Sequence, residues 1–166
     1  HRNSAIATHK VEKIWGIGDT MGKPDHVFST TGTDGCGWIR EVDTTAPNGE
    51  AMRSGGILHN QSSILTTKVV GPGTLTFAWR ASCEEDPYYE WDHAEFKVDG
   101  NVVLQICGET SWRNERVKIT GDEEHVIEWV YKKDDVESAG NDAIWVAGYN
   151  WESSYTATRT SQVSVP

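Results

Sequence analysis

The chain has 166 residues, enough for one domain with a real core and short for two. Its net charge of −10 argues against a nucleic-acid surface, which needs clustered Lys and Arg, and no run approaches the ~20 apolar residues that cross a bilayer. Plentiful Gly, Ser and Thr, 8 Trp and no sustained helical period point instead to an all-β domain with many turns.

Residues 1–25 are weakly patterned, with Val11–Trp15 a short edge-strand candidate and Gly16–Asp19 a turn after it. His26–Thr30 and Trp38–Val42 read as strands around the Gly-rich stretch Thr31–Gly37. Asp43–Gly49 is a loop, Ala51–Gly55 a short extended piece, and Leu58–Ser62 a polar connector. Ser63–Val69 is a strand, and Gly71-Pro72-Gly73 turns the chain, since Pro fixes φ and Gly tolerates positive φ. In the next strand Leu75, Phe77 and Trp79 alternate with Thr74, Thr76, Ala78 and Arg80, the period of a strand half buried on a core. An acidic, aromatic loop, Glu84–Asp92, follows, and then Ala94–Val98 and Val102–Cys107 are joined at the hairpin signal Asp99-Gly100. Trp112–Ile119, His125–Lys132 and Ala143–Tyr149 complete roughly nine strands, with no helix of usual length. The expected fold is a two-sheet antiparallel β-sandwich of jelly-roll type over residues 1–152. Residues 153–166 read as a Ser/Thr-rich tail or linker. A start at His1 rather than Met suggests a module cut from a larger chain.

The motifs Arg53-Ser54-Gly55, His59–Ser63, Gly71–Trp79, Phe96–Gly100, Gly108-Glu109 before Trp112, His125–Asp134 and Gly140–Val146 occur in this order between residues 51 and 148. On these words the chain resembles a jelly-roll module of large secreted and cell-surface bacterial proteins. It is distantly similar to MAM and concanavalin-like sandwiches. The resemblance implies a carbohydrate-binding or adhesive attachment outside the cell. Where relatives carry an Asp after the Trp-Val pair of the last strand, this chain has Ala147-Gly148.

Two stretches could carry chemistry. Tyr88, Tyr89 and Trp91 crowd one polar loop, with Asp92 beside them and Trp151 beyond the last strand. Aromatic faces stack on sugar C–H surfaces and carboxylates accept hydroxyl hydrogen bonds, so these five are the expected glycan ligands. The other reading is that the aromatics fold back to cap the sandwich. Asp134, Asp135, Glu137 and Asp142 place several oxygens around a Gly, which suits Ca²⁺ although the spacing is not that of an EF-hand. The bland reading of that stretch is a solvated hairpin loop. Residues 84–99 hold seven of the 25 acids and residues 122–142 eight, so Asp92 and Glu95 join that set if the two loops share one end of the sandwich.

Cys36, Cys83 and Cys107 lack any zinc spacing. Cys83 and Cys107 close two strands, which leaves either a bridge between them or three thiols. Trp38, Trp79, Trp112, Trp129 and Trp145 read as core, and His59 as a structural hydrogen-bond donor rather than a base. No Gly-x-Ser-x-Gly elbow or HExxH helix is present. The leading expectation is thus a non-catalytic, extracellular carbohydrate-binding module for a polysaccharide, with a structural Ca²⁺. The alternatives are a protein-binding adhesion or scaffold module and, further off, a glycoside-active enzyme using two carboxylates.

Overall fold

The computed structural model describes residues 16–155. They form a five-residue helix, α1 (Ile17–Met21), and ten strands: β1 (Phe28–Gly32), β2 (Ile39–Val42), β3 (Glu50–Arg53), β4 (Ser62–Val70), β5 (Gly73–Ser82), β6 (His93–Val98), β7 (Asn101–Ile106), β8 (Arg113–Ile119), β9 (Glu124–Lys132) and β10 (Ala143–Ser153). A single 3₁₀ turn, Thr33–Gly35, follows β1. One sheet has the order β1-β4-β9-β6-β7 and the other β2-β3-β10-β5-β8, and every pairing is antiparallel. The chain is thus a two-sheet antiparallel β-sandwich. The expected turn at Gly16–Asp19 is partly helix, and the expected edge strand Val11–Trp15 lies outside the described residues.

The period-2 patterns decide which side chains fill the space between the sheets. Leu75, Phe77, Trp79 and Ala81 of β5 face Ile127, Trp129 and Tyr131 of β9 and Phe96 of β6 across one buried cluster. Phe77 stands at its centre, with ring centroids 4.8 Å from Phe96, 5.3 Å from Trp129 and 5.5 Å from Trp79. Such tilted and edge-to-face pairs contribute beyond the area they bury. At Gly73 a Cβ would collide with the Trp151 ring, so the close approach of that ring requires glycine there.

Strand β10 runs four residues past its expected end because of a bulge. Its register to β5 shifts between Ala147 and Asn150, with Gly148 at φ 60. The extra residue reverses the alternation, so Tyr149 and Trp151 face the main core after the bulge as Ile144 and Val146 do before it. Trp145 is buried as expected, but on the outer side of its sheet, in a second cluster with Ala46, Ala51, Ala143 and Ala147. There the Arg80 guanidinium lies 3.7 Å from the Trp145 ring centroid and 5.5 Å from that of Trp112, and it donates to Asp43 at 2.8 Å.

Candidate functional site

Register brings both acidic loops to one end of the sandwich. Ser82 pairs with Ala143, and His93 with Lys132, so the loops 83–92 and 133–142 leave the two sheets side by side. The 107–112 connection joins them through the Ser82–Glu109 bridge and the Cys83 N–H donated to the Gly108 carbonyl.

The aromatic loop is organised from beneath by Asp86. This side chain is buried, and its carboxylate accepts from the backbone N–H groups of Tyr88 at 2.9 Å, Trp91 at 3.0 Å and Glu90 at 2.5 Å. Burial opposes its charge, but the three amide donors hold its carboxyl below the usual carboxylate range. Cys107 adds a second tie, its thiol donating to the Asp86 carbonyl at 3.0 Å while the Asp86 N–H points back at the sulfur. A loop pinned in this way presents rather than buries its aromatics: Tyr88 is 78% exposed and Trp91 49%. Tyr89, half-buried with φ 56, sets its ring edge-on to His93 at 6.3 Å.

Two of the expected sugar ligands stand elsewhere. Asp92 is fully buried, one oxygen accepting from Lys133 Nζ at 3.1 Å and the other from the Asp134 N–H at 3.0 Å. It braces the two loops and does not face outward. Trp151 pairs with Leu75, near the far end of β10, about 25 Å along the strand from the aromatic loop. Its ring packs on Gly73 and the core, so it belongs to no common site with Tyr88 and Trp91.

The expected cation ligands are likewise divided. Lys133 is 1% exposed at its side chain and reaches both Asp142 oxygens at 2.5 Å, Asp92, and the Ser138 hydroxyl at 2.7 Å. Burial works against the ammonium, but the Asp142 and Asp92 carboxylates hold its pKa above the ordinary lysine value. Asp142 also accepts from the Tyr131 hydroxyl at 2.7 Å. Among the described residues, the one group of three or more acids whose ligand oxygens all lie within 4.8 Å of one another is Glu84, Asp92 and Asp134, so only Asp134 comes from the expected four. Burial, together with the Asp92 and Asp134 charges, pushes the Glu84 carboxyl up.

Beside the loop, Glu95 sits buried on the outer side of its sheet under three donors: Lys97 at 2.9 Å, Lys132 at 3.0 Å and His93 at 3.1 Å. Burial opposes its charge, yet these donors lower its carboxyl to about 2. Cys83 and Cys107 are separate free thiols, and burial pushes Cys83 up to about 12, where it is inert as a nucleophile. His59, expected as a structural donor, is exposed and makes no side-chain hydrogen bond with the described residues.

Sequence reasoning passed over the tasks of Asp86 and Lys133, and it offered Glu95 as a further cation ligand, whereas Glu95 is taken up by Lys97, Lys132 and His93 and stands outside the carboxylate cluster. The signal for Asp86 was local, because an Asp two residues ahead of an exposed N–H is the Asx-turn pattern. The signal for Lys133 was periodic: the inward positions 125, 127, 129 and 131 of β9 continue to 133.

No protein-family model matches the chain, and no curated protein matches it by sequence. Solved structures do. The K1 cleaved adhesin domain of Lys-gingipain from Porphyromonas gingivalis aligns with TM-score 0.55 at 18% identity, over 79% of this chain and 95% of that one. TmCBM61, solved in complex with β-1,4-galactotriose, aligns with TM-score 0.50 at 13% identity, over 76% and 88%. The secreted serine protease VesC from Vibrio cholerae aligns with TM-score 0.52 at 10% identity over 61% of this chain, which spans 21% of VesC. What these proteins share with this one is the β-sandwich fold of adhesin domains and carbohydrate-binding modules.

Proposed function

We propose that this protein is a non-catalytic carbohydrate-binding module, displayed outside the cell as part of a larger chain, that holds a polysaccharide on the aromatic loop. The observation that carries this reading is the pinned loop. Two large aromatic side chains stand in solvent on a backbone fixed by the buried Asp86 carboxylate. Exposed aromatics on a flexible loop would lose ordering entropy on binding, whereas these are already placed. Similarity in fold to a galactotriose-binding module and to adhesin domains supports the reading.

The test is affinity electrophoresis through gels containing β-1,4-galactan, mixed-linkage β-glucan or xylan, backed by a glycan array. Trp91→Ala and Tyr88→Ala should lose retention while their thermal melts match the wild type, since neither side chain is buried. Wild-type retention in both variants would sink the assignment. Absence of retention on every glycan favours the adhesion reading, in which a protein docks instead. The half-exposed Val102 and Val103 on the edge strand β7 are then the surface to probe.

We further propose that a divalent cation, Ca²⁺ by its preference for hard oxygen donors, braces this end of the sandwich through Glu84, Asp92 and Asp134. The support is electrostatic. Four carboxylates, Glu84, Asp92, Asp134 and Asp142, gather around the single Lys133 ammonium, so most of their charge is unbalanced.

A further inference from the structure

The aromatic loop closes a cavity of about 200 Å³ on the side where β8 begins, lined by Glu85, Asp86, Pro87, Tyr89, Cys107 and Arg113. Four of these are fixed. Asp86 is held by its three amide donors, Cys107 by the Asp86 carbonyl, Pro87 by its ring, and Tyr89 by its N–H donated to the same carbonyl. The other two, Glu85 and Arg113, are exposed, and their side chains make no hydrogen bond or ion pair with the described residues. Around them Lys133, Asp92, Asp142 and Glu95 are all engaged. An uncommitted donor and an uncommitted acceptor therefore face one small cavity beside a fixed aromatic ring.

We propose that this cavity takes the terminal residue of a neutral glycan, a single sugar ring seated against Tyr89 with neighbouring hydroxyls held by Arg113 and Glu85. The inference rests on the glycan-binding reading and adds where on the chain the glycan is gripped. The volume selects for length, since it falls below the roughly 300–1,000 Å³ of pockets that enclose larger ligands. The pair of charges selects for chemistry. A hydroxyl both donates and accepts, so it satisfies the carboxylate and the guanidinium together. A charged sugar pairs with one of the two and repels the other, whereas a neutral ring serves both. Grip at the chain end then predicts that affinity depends first on the last sugar, with the gain from further residues confined to the one or two that reach Trp91 and Tyr88.

The experiment is isothermal titration with methyl glycosides and oligosaccharides of one to six residues, built from galactose, glucose, xylose, mannose and glucuronic acid, against wild type, Arg113→Ala and Glu85→Gln. Both variants alter exposed side chains, and their melts are recorded as folding controls. Expected for a neutral series is measurable affinity for the single residue, a rise over the next one or two residues that reach Trp91 and Tyr88 with no further gain to the hexamer, and a fall of about tenfold or more in each variant. An affinity that climbs steadily to the hexamer, with both variants binding as the wild type does, overturns the terminal pocket and leaves the loop's exposed face as the glycan site. Wild-type binding confined to the glucuronic acid series overturns the neutral assignment. A wild type that binds none of the sugars overturns the glycan reading, and the pocket with it.

Discussion

The Asp86 carboxylate replaces the outward pull of solvent on three amide groups, and that exchange keeps residues 88–91 in one conformation. Asp86→Ala leaves those amides to water and frees the loop without touching Tyr88 or Trp91. Each aromatic would then have to be ordered on binding, at roughly 0.5–1.5 kcal/mol per side chain, which for two residues lowers affinity by about tenfold. The melt should move less than it does for a core truncation such as Leu75→Ala, for which about 2–5 kcal/mol is usual. Titration of the glycan that the wild type retains, set beside a thermal melt, checks both parts. An Asp86→Ala protein with undiminished affinity would show that the loop needs no staple. At this scale the sequence was legible where a side chain's task is local, as with the aromatics exposed in a polar loop. It was not legible for Asp92 and Trp151. Whether a carboxylate faces solvent or a buried lysine 41 positions away is decided by which strands pair, and strand pairing leaves no mark on the residue itself.

The strands were the most legible elements because inward and outward positions alternate along them, and β4, β5 and β9 keep that alternation almost throughout. The extension of β10 was hidden because a bulge at Gly148 reverses the parity on which the reading depends. On β6 the alternation puts Glu95 on the outer face, where long cationic neighbours cover it, and this has a consequence for acid stability. Its carboxyl ionises near the ordinary 4.5 in the unfolded chain and at about 2 in the folded one. As pH falls, the unfolded state therefore takes up the proton first. The stabilisation is present above pH ~4.5 and is lost as pH falls towards about 2. Urea midpoints measured between pH 5 and pH 2.5 should fall more steeply for the wild type than for Glu95→Gln. Parallel curves would mean that Lys97, Lys132 and His93 do not favour the charged carboxylate. The hairpin end of β9 has the opposite sign. His125 donates to Asp99 at 2.7 Å and is raised by that hydrogen bond, against the effect of burial. Its contribution is present below the unfolded value of 6.5 and is lost as pH rises through the folded one, so His125→Gln should flatten the midpoint between pH 6 and pH 8.5.

Across the whole molecule, apolar burial and charge divide the sandwich between them. The aromatic cluster around Phe77 fixes the distance between the sheets, and one end of the sandwich gathers carboxylates from strands and loops that are remote in sequence. With a net charge of −10 on the chain, that end adds to a repulsion the fold already carries, and Lys133 is the one buried cation there among the described residues. A divalent ion bound only by the folded state would raise stability with its concentration. Scanning calorimetry should then show a melting temperature lowered by EDTA and restored by excess Ca²⁺, with Asp134→Asn melting at the EDTA value in either buffer. Because Asp134 reaches Asp92 through its backbone N–H, that substitution removes a carboxylate and leaves the brace between the loops in place. A melt indifferent to both EDTA and Ca²⁺ would assign the task to Lys133 alone. In that case Lys133→Met, which strips the ammonium from the buried Asp92 and from Asp142, becomes the more damaging change, at about 3–5 kcal/mol for a buried pair broken on one side. The two outcomes separate cleanly, since a bound ion would shield the carboxylates that the loss of Lys133 exposes, and added Ca²⁺ would then recover part of what Lys133→Met takes away.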